Sequence, residues 1–109
     1  MPSIRFIYST HPTRAQARKT AKALLEHKLV ACCNILPEIE SHYRWEGKAT
    51  KGNEVPMISK TTATKAAGAM KLIRKLHPYD VPAIASIEVK GGDKQFLQWI
   101  ARECASKPA

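Results

Sequence analysis

The sequence is poor in aromatic residues, in acidic residues and in cysteine. Phe, Trp and Tyr make up 6% of its 109 residues, so a core has to be built mainly from aliphatic side chains. Asp and Glu number 9 against 18 Lys and Arg, a formal charge of +9. That deficit argues against a high-affinity site for bare cations and favours polyanions as partners. Three cysteines without CxxC spacing are too few for a disulfide scaffold and fit a free-thiol protein of the cytoplasm. No apolar run approaches the roughly 18 residues of a membrane helix. The start, Met1-Pro2-Ser3-Ile4-Arg5, lacks the apolar stretch of a signal peptide. There is no GxSxG, Walker or GxGxxG pattern to suggest a common enzyme class. Apolar residues nonetheless reach 44%, the ordinary level for a globular chain. The length suits a single domain over residues 1–109.

What is present alternates between strand and helix periods. Residues 4–10 are β-branched and aromatic and stop at His11-Pro12, as a short buried strand does. Thr13-Arg14-Ala15-Gln16 reads as a capping box, with Gln16 reaching back to the helix start. The helix it opens runs to about residue 28, with Ala17, Ala21, Leu24 and Leu25 as its core stripe. Residues 29–36 form a continuous apolar run of strand length. Ile39, Ser41, Tyr43 and Trp45 then alternate with charged residues, which predicts one buried and one wet face. Residues 47–53, with their glycines and lysines, read as a hairpin loop. A strand over 55–61 follows, with Pro56 placed at an edge, bulge or non-bonded slot. A second helix is expected over 64–76, weakened by Gly68 and stopped by His77-Pro78. A strand over 83–89, a Gly91-Gly92 turn and a helix capped by Asp93 complete the chain, with residues 106–109 frayed.

This order is β-α-β-β-α-β plus a C-terminal helix, the ferredoxin-like α+β arrangement. The middle hairpin is too long for the compact version. Its ends should project, leaving Tyr43 and Trp45 exposed near the tip and in want of a partner. A homo-oligomer assembled through the hairpin follows from that.

Metal chemistry has few footholds. The His, Cys and Met residues show no zinc-type spacing. Cys32 and Cys33 are neighbours on a strand, so they point to opposite faces and cannot share an ion. His77, fixed by Pro78 beside Tyr79 and Asp80, occupies a rigid, polar, partly open corner. Glu40 and Glu46 read as a chance pair of carboxylates. Basic rows on two helices (Arg14, Arg18, Lys19, Lys22; Lys65, Lys71, Arg74, Lys75) read as solvated faces. No RNA-recognition signature accompanies them, so nucleic acid is expected only nonspecifically at low salt.

Several segments together resemble one family. They are Lys28-Leu29-Val30-Ala31-Cys32-Cys33-Asn34-Ile35-Leu36-Pro37, Ser41-His42-Tyr43-Arg44-Trp45-Glu46-Gly47-Lys48, Glu54-Val55 with Lys60-Thr61, His77-Pro78-Tyr79-Asp80-Val81-Pro82, and Phe96-Leu97-Gln98-Trp99-Ile100. In this order and spacing they resemble the CutA-type divalent-cation tolerance proteins. The resemblance implies a cytoplasmic, non-enzymatic homotrimer of ferredoxin-like subunits, joined by the long hairpins and associated with copper or another divalent cation. It implies His77 as a metal ligand, with Cys32 joining it where both face one cleft. Tyr79, Trp45 and Lys60 then line clefts between subunits. Some members carry a cysteine where this chain has Ser9 and a second histidine where it has Leu76. A fold shared with PII signalling proteins implies one alternative, a module binding a small molecule or anion in clefts between subunits; a second alternative is a stable trimeric scaffold for partner proteins.

Overall fold

The computed structural model describes residues 2–105; the expected frayed tail lies outside them. The elements are β1 (Ile4–His11), α1 (Arg14–Glu26), β2 (Cys32–Ile35), β3 (Ile39–Trp45), β4 (Lys48–Thr62), α2 (Ala63–Leu76), β5 (Ile84–Val89) and α3 (Lys94–Ala105). The strands form an antiparallel sheet in the order β2-β4-β1-β5, with β3 also paired to β4. The long β4 explains this arrangement. Its first half pairs with β3 (Trp45 opposite Lys48, Ile39 opposite Glu54) and its second half with β2 (Ile35 opposite Met57, Cys32 opposite Lys60). β2 and β3 therefore share one strand position, broken at residues 36–38. The result is the ferredoxin-like α+β fold with a C-terminal helix.

Strand alternation sorts the two faces. Ile7, Ser9 and His11 of β1 point with their β4 partners Ser59, Met57 and Val55 toward α1 and α2. Ile7, Leu24, Val30, Met57, Ala69 and Ile73 close the main core there. On the opposite face α3 brings Leu97, Ile100 and Cys104 over Ile4. α3 leaves part of that face uncovered: Ile87, whose strand partner is Phe6, is 52% exposed.

Several local expectations are corrected. Residues 48–53 are strand rather than loop. Glu46 and Gly47, at φ 50° and 78°, make the whole turn, the two-residue geometry in which both central residues lie in the left-handed region. Residues 29–31 are not strand, because α1 closes with a Schellman motif. Lys28 takes φ 56°, its N–H donates to the Leu25 carbonyl, and the Leu29 N–H donates to that of Leu24. Leu25 faces outward at 44% exposure. Thr13 caps α1 through the Gln16 N–H at 3.1 Å, but the Gln16 side chain turns inward instead of completing the capping box.

Pro56 lies within β4, and its carbonyl accepts from the Leu36 N–H at 2.9 Å. A residue in an antiparallel strand aims its nitrogen and its carbonyl to the same side. The nitrogen of Pro56 therefore meets the break between β2 and β3, where a missing donor matters least. Gly68 has a packing role: a Cβ there would stand 3.2 Å from Leu29 Cδ2. Asp93 caps α3 through the Phe96 N–H at 3.0 Å. The molecule measures 44 × 30 × 22 Å with a radius of gyration of 14.5 Å. A compact chain of this length would have about 13 Å; the β3–β4 hairpin accounts for the excess.

Candidate functional site: the His77 corner and the hairpin groove

The end of α2 meets the end of β1 at His77. Its ring is buried, at 7% exposure, rather than partly open. Nε2 lies 2.7 Å from the Thr10 carbonyl, and Nδ1 lies 3.2 Å from the Tyr79 main-chain nitrogen. A carbonyl only accepts and a main-chain N–H only donates, so Nε2 carries the proton and Nδ1 is the acceptor. Both nitrogens are thereby committed. The ring also packs at 5.3 Å from His11 and 4.8 Å from Tyr79, measured between centroids.

His11 heads a second network, which sequence reasoning missed. The Gln16 Nε2 donates to the Leu76 carbonyl and to Thr20 Oγ1, both at 3.1 Å. The Gln16 Oε1 is therefore an acceptor, and it bonds His11 Nδ1. His11 Nε2 is left to accept from the Ser9 hydroxyl at 2.9 Å. Burial holds the His11 ring below its ordinary pKa, the neighbouring His77 adds to this, and the bond to Gln16 with the charge of Glu54 opposes it. Ser9 and His11 are fully enclosed, so this chain of bonds ties β1, α1 and the end of α2 together. Its signal in the sequence was the placing of two polar residues at inward positions of a buried strand.

Cys32 stands elsewhere. It is level with Lys60 and Phe6, four residues of β1 from Thr10, or about 13 Å along the strand. Burial raises its thiol pKa, against the pull of Lys60, which keeps the proton on sulfur. Cys33 faces the other way, into the main core, with Sγ 3.5 Å from Ser59 Oγ. Burial raises its pKa too. A metal site needs bare nitrogens or thiolates converging on one point. His77 and Cys32 are not brought together, and neither offers a free donor pair. Among the described residues no three His, Cys, Asp or Glu side chains are grouped for an ion. Within a single chain the described residues therefore bring no set of donors together around a copper ion.

Of the three expected cleft residues, the fold gathers two. Trp45 and Tyr79 join Tyr43 around a groove of about 500 Å³ between the β3–β4 hairpin and the segment 79–83. Ser41, Tyr43 and Trp45 share a hairpin face with Glu54 by strand register. Asp80 and Val81 form the opposite wall. Trp45 is 53% exposed and Tyr43 45%. Lys60 lies apart, its Nζ 5.4 Å from the Phe6 ring centroid and 5.3 Å from that of Phe96. It is six residues along β4 from Glu54, about 20 Å.

These features define an α+β protein of ferredoxin-like build, with a projecting hairpin, a histidine-pinned corner and an aromatic groove beside it. A family model described as CutA1 divalent ion tolerance protein matches residues 5–103. The divalent-cation tolerance protein CutA of Thermococcus kodakarensis is 44% identical over 88% of this chain and 91% of its own. The crystal structure of the divalent ion tolerance protein CutA1 from Ehrlichia chaffeensis superposes with a TM-score of 0.90, at 38% identity, over 97% of this chain and 99% of that one. A structure from Archaeoglobus fulgidus, described as a periplasmic divalent cation tolerance protein CutA, gives 0.88 at 40% identity over 93% and 98%. The chain belongs to the CutA1 divalent ion tolerance family.

Proposed function

We propose that this protein acts in divalent-cation tolerance as a non-enzymatic homotrimer in the cytoplasm, joined through its long hairpins. The family match over residues 5–103 supports the divalent-cation part of this reading, and the long hairpin with its exposed Tyr43 and Trp45 supports the assembly. Exposed aromatic surface of this kind is stabilised by burial against a neighbour. The uncovered sheet face around Ile87 adds to the surface available. The count of three rests on the family. On this reading copper contact is weak. At His77 it must break the bond to the Tyr79 N–H or to the Thr10 carbonyl, and at Cys32 it must displace a proton held by burial.

The test is the mass in solution by light scattering. It should be about 36 kDa, three chains of 12.1 kDa, and should fall when Tyr43 and Trp45 are both changed to Ser. A stable monomer at micromolar concentration overturns the assembly. Copper titration of the same preparation should weaken with His77→Ala and with Cys32→Ser. Unchanged binding in both variants removes these residues as ligands.

A further inference from the structure

We propose that the outer face of α1 and α2 is a docking surface for the phosphate backbone of double-stranded nucleic acid. The chain's charge is concentrated there. The two helices hold eight Lys and Arg against one carboxylate, Glu26, a balance of +7 out of the +9 of the whole chain. The fold brings the two basic rows together. Gln16, at the start of α1, donates to the Leu76 carbonyl, at the end of α2, so the helices run antiparallel. Arg18, Lys19 and Lys22 therefore lie alongside Lys71, Arg74 and Lys75, and all six are exposed. By helical spacing Lys19 and Lys22 stand opposite the buried Ala17, Ala21 and Leu24, and Lys71 and Lys75 opposite the buried Ala66, Ala69 and Ile73. These four lysines lie on the helical side, away from the uncovered sheet face offered for assembly.

Nothing in the fold answers this charge. Among the described residues only His42 and Glu40 stand at ion-pair distance. Glu26 lies one turn from Lys22 without pairing with it, and Asp80 accepts from Arg74 through its main-chain carbonyl at 3.3 Å. A helix face that is merely solvated carries charges of alternating sign at this spacing. Here Arg18 is followed at i+4 by Lys22, and Lys71 by Lys75, pairs that destabilise a helix on its own.

The composition of the face selects the partner. Leu25 is the one large apolar side chain that the two helices expose. A protein interface needs a desolvated core, and a membrane-lying helix needs an apolar face to insert; the apolar stripes of α1 and α2 are turned into the main core. Single strands are held by stacking on aromatic rings, and neither helix contains one. A duplex encloses its bases and presents one negative charge for about every 1.7 Å of its axis. Cations alone can hold it, by displacing its condensed counterions. Packed helices stand about 8–10 Å apart, so the four outward lysines form a compact field that meets neighbouring phosphates without reading sequence.

The probe is a fluorescent DNA duplex of about 20 base pairs, in two unrelated sequences, followed by anisotropy. The mass of the protein is recorded at each salt concentration, so failure of the proposed assembly is read separately. The two sequences should bind alike. Log affinity should fall against log salt with a slope of about −4, for four phosphate contacts. Lys22→Gln, Lys71→Gln and Lys75→Gln together should weaken binding at least about tenfold at about 0.05 M NaCl and bring the slope to about −1. Lys90→Gln, Lys94→Gln and Arg102→Gln remove the same charge from exposed positions outside α1 and α2 and should leave affinity within about threefold. All six substitutions fall on exposed side chains, and a circular-dichroism melt confirms each fold. Equal losses in the two triple variants overturn the proposal, because net charge alone then accounts for the binding. No duplex binding at about 0.05 M NaCl also overturns it. Tighter binding to the single strand, or to phosphatidylserine vesicles, overturns it by assigning the face to another partner.

Discussion

At Lys28 an ordinary side chain occupies a position that favours glycine. Its φ of 56° places Cβ against the carbonyl, at a cost of roughly 1–2 kcal/mol for an L-residue. The two Schellman hydrogen bonds to Leu25 and Leu24 hold it there. Lys28→Gly relieves the strain but adds freedom to the unfolded chain, leaving a net gain of about 0.5–1 kcal/mol. Urea unfolding at neutral pH should show it as a higher midpoint with an unchanged slope. His11 gives a second residue-scale outcome. Its folded pKa lies below its ordinary value of 6.5 because burial disfavours the charged ring. The unfolded chain then binds the proton more readily, so stability is complete above about pH 7 and drains away as pH falls through 6.5 and below. Unfolding free energies at pH 7.5 and 5.5 should therefore differ more for the parent than for His11→Gln, which can still accept from Ser9 and donate to Gln16. Equal differences would show that the ring does not carry the effect. Neither outcome was legible in the sequence. Lys28 gives no sign of a left-handed backbone, and Gln16 reads as a cap until the Leu76 carbonyl is seen beside it.

At the scale of elements, the hairpin shows how far a local pattern reaches. Alternation from Ile39 to Trp45 was plain, because one face of β3 is polar throughout. The returning strand was not, because the glycines and lysines over 48–53 imitate a loop. In β4 they are tolerated because the hairpin stands clear of the core, and most of the residues from Lys48 to Asn53 are exposed. The turn therefore falls on Glu46-Gly47, and Glu46 is the residue less suited to it, at φ 50°. Asn is favoured at that position of such a turn. Glu46→Asn should stabilise the hairpin by about 0.5 kcal/mol, and Gly47→Ala, at φ 78°, should weaken it by about 1 kcal/mol. Amide hydrogen exchange separates this from a global effect. Amides of β3 and of the first half of β4 should slow in the first variant and quicken in the second, while those of β1 stay unchanged. The helices were more legible because their boundaries rest on strong local signals: Thr13 and Asp93 as caps and Pro78 as a stop.

Over the whole molecule, charge and shape pull in opposite directions. The exposed hairpin and the uncovered sheet face favour association. A formal charge of +9 per chain becomes roughly +27 in a trimer, which self-repulsion penalises. The sequence reveals the charge but not where it lies relative to the associating surfaces, since that depends on which helix faces outward. In the fold the exposed Arg18, Lys19 and Lys22 of α1 lie on the helical side, opposite the uncovered sheet face. In the proposed trimer the repulsion between subunits would then act across solvent, where salt screens it over a Debye length of about 10 Å at 0.1 M. Apolar contact at the hairpins is not weakened by salt. Raising NaCl from about 0.02 M to about 0.3 M should therefore tighten the assembly, the reverse of an interface built on ion pairs. A dilution series followed by light scattering at the two salt concentrations reads this directly. The concentration of half-dissociation should fall at the higher salt. A rise would mean that opposite charges, and not the aromatic hairpins, hold the subunits together.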